Sequence, residues 1–312
     1  MEKRGPEPTK DQAERQELLH HYTDQNGLLG ILNSDCLWAT HYRFLNDLSE
    51  RQEALCVFLD AIARRTSNAN AEGPSRRTAE AYQTQVREGV LYESQAIDAY
   101  FVSFSRGEQD PQLPPNEQAL GDRLSQWRGY AQDRQGFSLE FDKKILKNRI
   151  CPTIATPRVS ACFLNCVYVD EFKQAGIDTV LGYGEEEIRK WKQSASEQDI
   201  NQLSQWKQLF HQFLSGFKHI GFEEERECRL VLQMLAKNPE LEIVKFRDGR
   251  FGRTPYVEVP IGLREQNSPL RRIVVGPSQN KEQTVQSLKI ELAKMGIHGV
   301  EVVPSQIPYR NW

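Results

Sequence analysis

The chain has 312 residues, of which 38% are hydrophobic, 27% charged and 9% aromatic. That length can bury a sizeable core, and the aromatic content excludes wholesale disorder. A net charge of −3 provides no global basic field for nucleic acid, and no run of about 18 apolar residues is present to span a bilayer.

Residues 1–17 read as a solvated tail without an apolar signal core, and residues 18–312 as a single α+β domain. "LLHHYT" predicts a strand over Leu18 to Thr23. A helix follows, with Leu28, Leu29, Ile31 and Leu32 at helical spacing, then a strand over Leu37 to Thr40. An amphipathic helix is expected after Asn46, with Ser49 and Gln52 as a capping box and Leu55, Phe58, Leu59 and Ile62 on one face. A polar loop, Thr66 to Thr78, precedes a further helix reaching about Gln95.

Ala99 to Ser105 reads as a strand, "LSQWRGY" as a short helix, Phe137 to Phe141 as a strand after a turn at Gly136, and "CFLNCVYV" as another. A helical pattern runs from Glu185 to Phe217. "ECRLVLQM", "LEIVKFR" and "YVEVPI" then give successive strands. The segment 270–306 reads as strand, Gly-Pro turn, helix, strand, expected as an appended unit with parallel pairing.

The six cysteines contain no CxxC pair, which fits reduced thiols and a cytoplasmic setting. Cys162 and Cys166 could offer two metal ligands, but no second pair follows, so no metal is expected.

Several stretches carry more polar chemistry at strand ends than packing requires. On a strand, His21 and Thr23 share one face, with Tyr22 opposite. An imidazole and a hydroxyl so placed suit a ribose diol or an amide, and equally an ordinary edge strand. Ser103 and Ser105 repeat the spacing, and so do Glu225 and Glu227 in "FEEERECRLV". Two carboxylates on one face repel, which is costly in a cleft unless something uses them; a solvated acidic turn is the plainer reading. Trp127 and Arg128 offer an aromatic plane and a cation for a base or phosphate, although a core tryptophan fits as well. Asp47 or Ser49 can simply cap the helix that follows.

Taken in order, "LLHHYT", "LLGILNSDCLWAT", "LND..E", "FVSFS", "QWRGYA", "FEEEREC.R", "IVVGP" and "SQIPYR" resemble an uncharacterised bacterial domain family of unknown function, from Leu18 to Arg310. A more distant resemblance is to ADP-ribosyltransferases of the DNA-modifying toxin type. Their pattern is a first strand ending in His-x-Thr/Ser (or an Arg), a middle strand with a Ser-x-Ser-like motif, and a later strand beginning Glu/Gln-x-Glu. Here His21-Tyr22-Thr23, Ser103-Phe104-Ser105 and Glu225-Arg226-Glu227 follow that order.

This second resemblance implies a split β-sheet core with flanking helices and NAD as substrate. His21, Tyr22 and Thr23 would hold its ribose and amide, and Ser103 and Ser105 would brace the site. Glu227 would stabilise an oxocarbenium-like transition state, and Glu225 would orient an acceptor (protein, nucleic acid or small molecule). Arg106 or Arg128 would meet the pyrophosphate. A toxin or phage-defence effector, with an antitoxin or sensor protein as partner, is the setting implied. An NAD hydrolase would use the same residues.

Two other classes remain open on sequence. Asp47, Glu50, Glu225 and Glu227 could gather around Mg²⁺ in a nuclease or phosphoesterase, with Lys218 nearby. A non-catalytic nucleotide sensor could hold phosphate at the Gly276–Pro277 turn.

Overall fold

The computed structural model describes residues 17–45, 54, 56–58, 60, 99–107, 121–130, 135–154, 159–168, 175–177, 179, 212, 214–234, 241–249 and 252–308. Asp47, Ser49 and Glu50, the helix expected to about Gln95 and most of the pattern from Glu185 lie outside the described residues. Of the helix expected after Asn46, Ala54 and Phe58 are described and buried.

The elements run β1 (Leu18–Asp24), α1 (Gln25–Ser34), β2 (Cys36–His41), β3 (Ala99–Arg106), α2 (Leu124–Tyr130), β4 (Gly136–Asp142), α3 (Lys143–Ile154), β5 (Val159–Asn165), β6 (Glu227–Met234), β7 (Val244–Gly249), β8 (Gly252–Pro260), β9 (Leu270–Val275), α4 (Lys281–Lys294) and β10 (Glu301–Pro304). The class is α+β, and the described strands form one mixed sheet in the order β10-β9-β4-β1-β3-β2-β8-β7. β6 lies on β3 and β5 on β6. Among the described residues no helix is long and apolar enough to cross a membrane.

Local chemistry explains the first unit. The Asp24 carboxylate caps α1 by accepting from the Gly27 amide at 2.8 Å, and Asp35 stops it in the left-handed region at φ 55°. The Asp35 carboxylate then accepts from the Leu263 amide at 2.6 Å, anchoring the turn to a distant segment. β6 is buried along its whole length. Its Cys228, Leu230, Leu232 and Met234 enter the main core with Leu19, Phe104 and Phe141, while Val231 on the other face packs with Ala99 and Phe101. Each such aliphatic side chain contributes roughly 1.5–3 kcal/mol of burial.

The structure adds one element and moves the start of two others. α3 has no counterpart among the expected elements, yet Leu146 and Ile150, one turn apart, bury its inner face and Asp142 caps it through the Ile145 amide. β5 starts at Val159, ahead of the expected "CFLNCVYV". Leu241–Ile243 forms a 3-10 turn, so the strand expected from "LEIVKFR" begins at Val244. The C-terminal unit pairs β9 with β10 in parallel, and β9 also pairs with β4, so the unit prolongs the same sheet.

The sheet opens at β3. One edge of β3 pairs with β6 from Ala99 to Ser105. The opposite edge is shared: Tyr100 and Phe101 pair with β2, whereas Ser105 and Arg106 pair with β1. Between these contacts Val102, Ser103 and Phe104 have no ladder partner on β1 or β2, because β1 and β2 part there and are joined by α1. A strand edge without a strand is where a cleft can reach backbone and side chains together.

Candidate functional site

A cleft of about 620 Å³ lies at this gap, lined by His21, Tyr22 and Thr23 of β1, Ser103 of β3, and Glu225 and Glu227. Three stretches far apart in sequence thus meet around one space. The His21 Nδ1 lies 3.0 Å from the Ser103 carbonyl oxygen and spans the gap between the strands. A carbonyl only accepts, so the neutral ring carries its proton on Nδ1 and leaves Nε2 as an acceptor. Burial lowers the His21 pKa, which favours that neutral form.

Glu225 and Glu227 do not share a strand face, as the i, i+2 spacing predicts. Ile220–Glu225 is a 3-10 helix, and Arg226, in the left-handed region at φ 46°, turns the chain into β6 at Glu227. Three consecutive carbonyls of this turn are captured. Arg123 Nη1 donates to Glu224 O at 2.9 Å, Ser105 Oγ to Glu225 O at 2.7 Å, and Arg106 Nε to Arg226 O at 3.3 Å. The Glu227 amide donates to the Tyr168 hydroxyl at 2.6 Å. The carboxylates are therefore held by backbone fixation, not by strand alternation.

Their charges are matched. Lys218 Nζ lies 2.6 Å from Glu225 Oε2 and 2.5 Å from Glu227 Oε2. Arg229, two residues along β6, donates through Nε and Nη2 to the two Glu227 oxygens at 2.8 and 3.0 Å and through Nη1 to Ser215 O. Burial alone would raise the Glu227 pKa, but the Arg229 guanidinium and the Lys218 ammonium outweigh it and hold the carboxyl at about 2. Burial also works against the Lys218 charge, and Glu227 and Glu225 overcome it and raise its pKa.

The Lys218 ammonium occupies the position between the carboxylates that a bridging divalent cation would need. Among the described residues no group of three or more His, Cys, Asp or Glu side chains converges as a metal site. Asp47 and Glu50 are outside the described residues. Burial pushes the Cys162 thiol up to about 12, so it keeps its proton.

The other wall comes from residues the motif reading did not reach. Arg247 of β7 lies over the rings of Trp38 (5.3 Å) and Tyr256 (5.9 Å), and its Nη2 donates to Thr40 Oγ1 at 2.9 Å. Gly30 makes room for Trp38, since a Cβ there would run into the indole ring. Phe44, Tyr130 and Phe222 line the cleft as well and are exposed large apolar side chains. Arg229 and Arg247 escape a search for paired motifs because a lone basic residue on a strand has no spacing to betray it, whereas Lys218 is expected only beside a metal site.

Three expected site residues turn away from the cleft. Trp127 is 2% exposed, meets Tyr22 edge-on at 5.0 Å and donates its indole N–H to Asp122, so its ring is packed and offers no stacking plane. Arg128 lines a separate open depression with Arg123 and Arg226. Ser105 is spent on the Glu225 carbonyl. Arg106, the other pyrophosphate candidate, is likewise bonded to the turn backbone. The Gly276–Pro277 turn is a packed strand exit: the Gly276 amide donates to Gly136 O at 2.8 Å, and a Cβ on Gly276 would press on the Trp127 ring.

A line of polar residues crosses the sheet through the site. In successive registers Glu227 faces Ser105, Ser105 faces His20, His20 faces Glu140, Glu140 faces Arg272 and Arg272 faces Glu301. His20 is 1% exposed, its Nδ1 is 4.0 Å from Glu140 Oε2, and neither ring nitrogen has a hydrogen-bond partner among the described residues. Burial, reinforced by Arg123 and Arg272, lowers its pKa to about 3.

No curated protein and no solved structure matches the chain significantly. Residues 126–230, about a third of the chain, match the model of an uncharacterised family described as "Protein of unknown function (DUF2971)", a span that takes in Lys218, Glu225, Glu227 and Arg229 but neither β1 nor β3.

Proposed function

We propose that the cleft binds NAD and cleaves its nicotinamide–ribose bond, as an ADP-ribosyltransferase or an NAD glycohydrolase. The observation that carries this reading is the convergence of His21-Tyr22-Thr23, Ser103 and Glu225/Glu227 around one cleft. His21 Nε2 and the Thr23 hydroxyl are suited to the ribose and amide. Glu227, ionised at neutral pH, accepts from a ribose hydroxyl and stabilises positive charge developing at the anomeric carbon.

In this step the glycosidic carbon–nitrogen bond breaks and nicotinamide leaves neutral with the bonding pair. The ribosyl cation is then captured by water or an acceptor, which gives up a proton. Lys218 and Arg229 fix the Glu227 carboxylate and offset much of its long-range field, so its action is directional and short-range. Glu225, the more exposed carboxylate, is placed to orient the acceptor. A cytoplasmic toxin or phage-defence effector restrained by a partner protein suits such an activity.

The metal-dependent alternative is disfavoured by Lys218, which fills the space between Glu225 and Glu227. The test is nicotinamide release from NAD by the purified chain beside Glu227→Gln, which keeps the shape and removes the charge. Release by the native protein and its loss in the variant are expected. No release across protein, nucleic-acid and small-molecule acceptors, with or without NAD binding, would overturn the reading.

A further inference from the structure

Charge accounting within the cleft leaves one group over. Lys218 and Arg229 are balanced by Glu225 and Glu227 at ion-pair distance. Arg247 has no carboxylate at that distance among the described residues; Asp24, whose charge raises its pKa, acts only from further away. Burial lowers the Arg247 pKa, as expected of a guanidinium withdrawn from water without a counter-charge. Of its five N–H donors, one is used among the described residues, on the neutral Thr40 hydroxyl. The Trp38 and Tyr256 rings, whose centroids are 5.4 Å apart, lie together beneath the guanidinium and support it from one side. A partly buried, pre-aligned fork with unused donors in an open cleft is the arrangement that recognises a phosphate bidentately. The aromatic residues around it give a ring-bearing ligand apolar surface to lie against.

We propose that Arg247 is the anion anchor of the cleft: its guanidinium, resting over Trp38 and Tyr256, takes a phosphate group of the bound nucleotide and selects phosphorylated ligands over their nucleosides. The choice of a pyrophosphate-bearing nucleotide rests on the NAD reading; the need for an anion does not. Arg247 then supplies the role that sequence assigned to Arg106 or Arg128, both of which are directed elsewhere.

The test is calorimetric titration of the full chain with inorganic pyrophosphate, ADP and adenosine, alongside Arg247→Met and Arg247→Lys. ADP is expected to bind at least about tenfold more tightly than adenosine, the scale of a charge-assisted pair. That preference should vanish in Arg247→Met and survive in part in Arg247→Lys, which keeps the charge and a similar stem if the methionine variant folds poorly. Equal affinity for ADP and adenosine, ADP binding unchanged in Arg247→Met, or no binding of pyrophosphate or ADP would overturn the proposal. Arg247-dependent ADP binding without nicotinamide release from NAD would uphold the anchor and reject the NAD-cleaving reading.

Discussion

The Ser105 hydroxyl donates a 2.7 Å hydrogen bond to the carbonyl oxygen of Glu225, 120 positions later in the chain. With Arg106 and Arg123 on the neighbouring carbonyls, this bond pins the one turn that presents both carboxylates. Ser105→Ala removes a bond worth about 1 kcal/mol and should lower the melting temperature by about 2–4 °C. Under the NAD reading it should also reduce the rate constant for nicotinamide release by several-fold with KM nearly unchanged. Steady-state kinetics beside a thermal melt would check both, and unaltered kinetics would relegate Ser105 to ordinary packing.

Arg229→Met strips Glu227 of its bidentate partner and leaves Lys218 as its only described counter-charge. Breaking a buried pair from one side costs about 3–5 kcal/mol. Glu227→Gln added to Arg229→Met should recover a large part of that loss, since no carboxylate then remains to be stranded. Urea unfolding of the native protein, both single variants and the double variant measures the coupling, and strictly additive losses would contradict it.

Acid stability should fall in two overlapping stages. Glu227 has its folded pKa depressed to about 2 from 4.5, so its contribution is present above 4.5 and is lost as pH falls through about 2. That contribution is of order 3 kcal/mol. His20, held neutral down to about 3 against an ordinary 6.5, takes up a proton more readily when unfolded, so stability also declines from pH 6.5 downward. Glu140 faces His20, with its own pKa raised by burial, and Arg123 and Arg272 add their charges. Urea midpoints from pH 7 to 4.5 should therefore fall in the native protein and stay flatter in His20→Phe, whose ring cannot ionise.

Gly121→Ala should be strongly destabilising. Gly121 sits at φ +73°, and a Cβ there would run into the His20 imidazole. Left-handed backbone costs an alanine about 1–2 kcal/mol, and the clash with a buried ring adds to it. A melting-temperature drop of several degrees more than that of Gly129→Ala, where a Cβ meets nothing, is the expected difference.

Most strands were readable because their apolar runs are short, bounded by turn residues and rich in β-branched or aromatic side chains; "ECRLVLQM" matches β6 end to end. α3 escaped because its buried residues are few and its sequence, "KKILKNRICPTI", is mostly polar with an internal Pro152. The i, i+2 argument brought Glu225 and Glu227 together for the wrong reason, since it assumed a continuous strand where Arg226 turns the backbone. The His20–Glu140 pair and the Arg247 fork depend on register between strands more than a hundred residues apart, and no local pattern encodes that.

The partition of the β3 edge between β1 and β2 also bears on how the protein acquires its site. The wall bearing Trp38, Tyr256 and Arg247 exists only once β8, residues 252–260, has docked on β2, residues 36–41. Strand pairing at such separation is slow, because the closure entropy comes before the contacts that offset it. During synthesis, a nascent chain that has not reached β7 lacks Arg247 and the ring beside it, even with β1, β3 and β6 already in place. The cleft is therefore completed late, and a chain cut short before residue 244 cannot form its second wall.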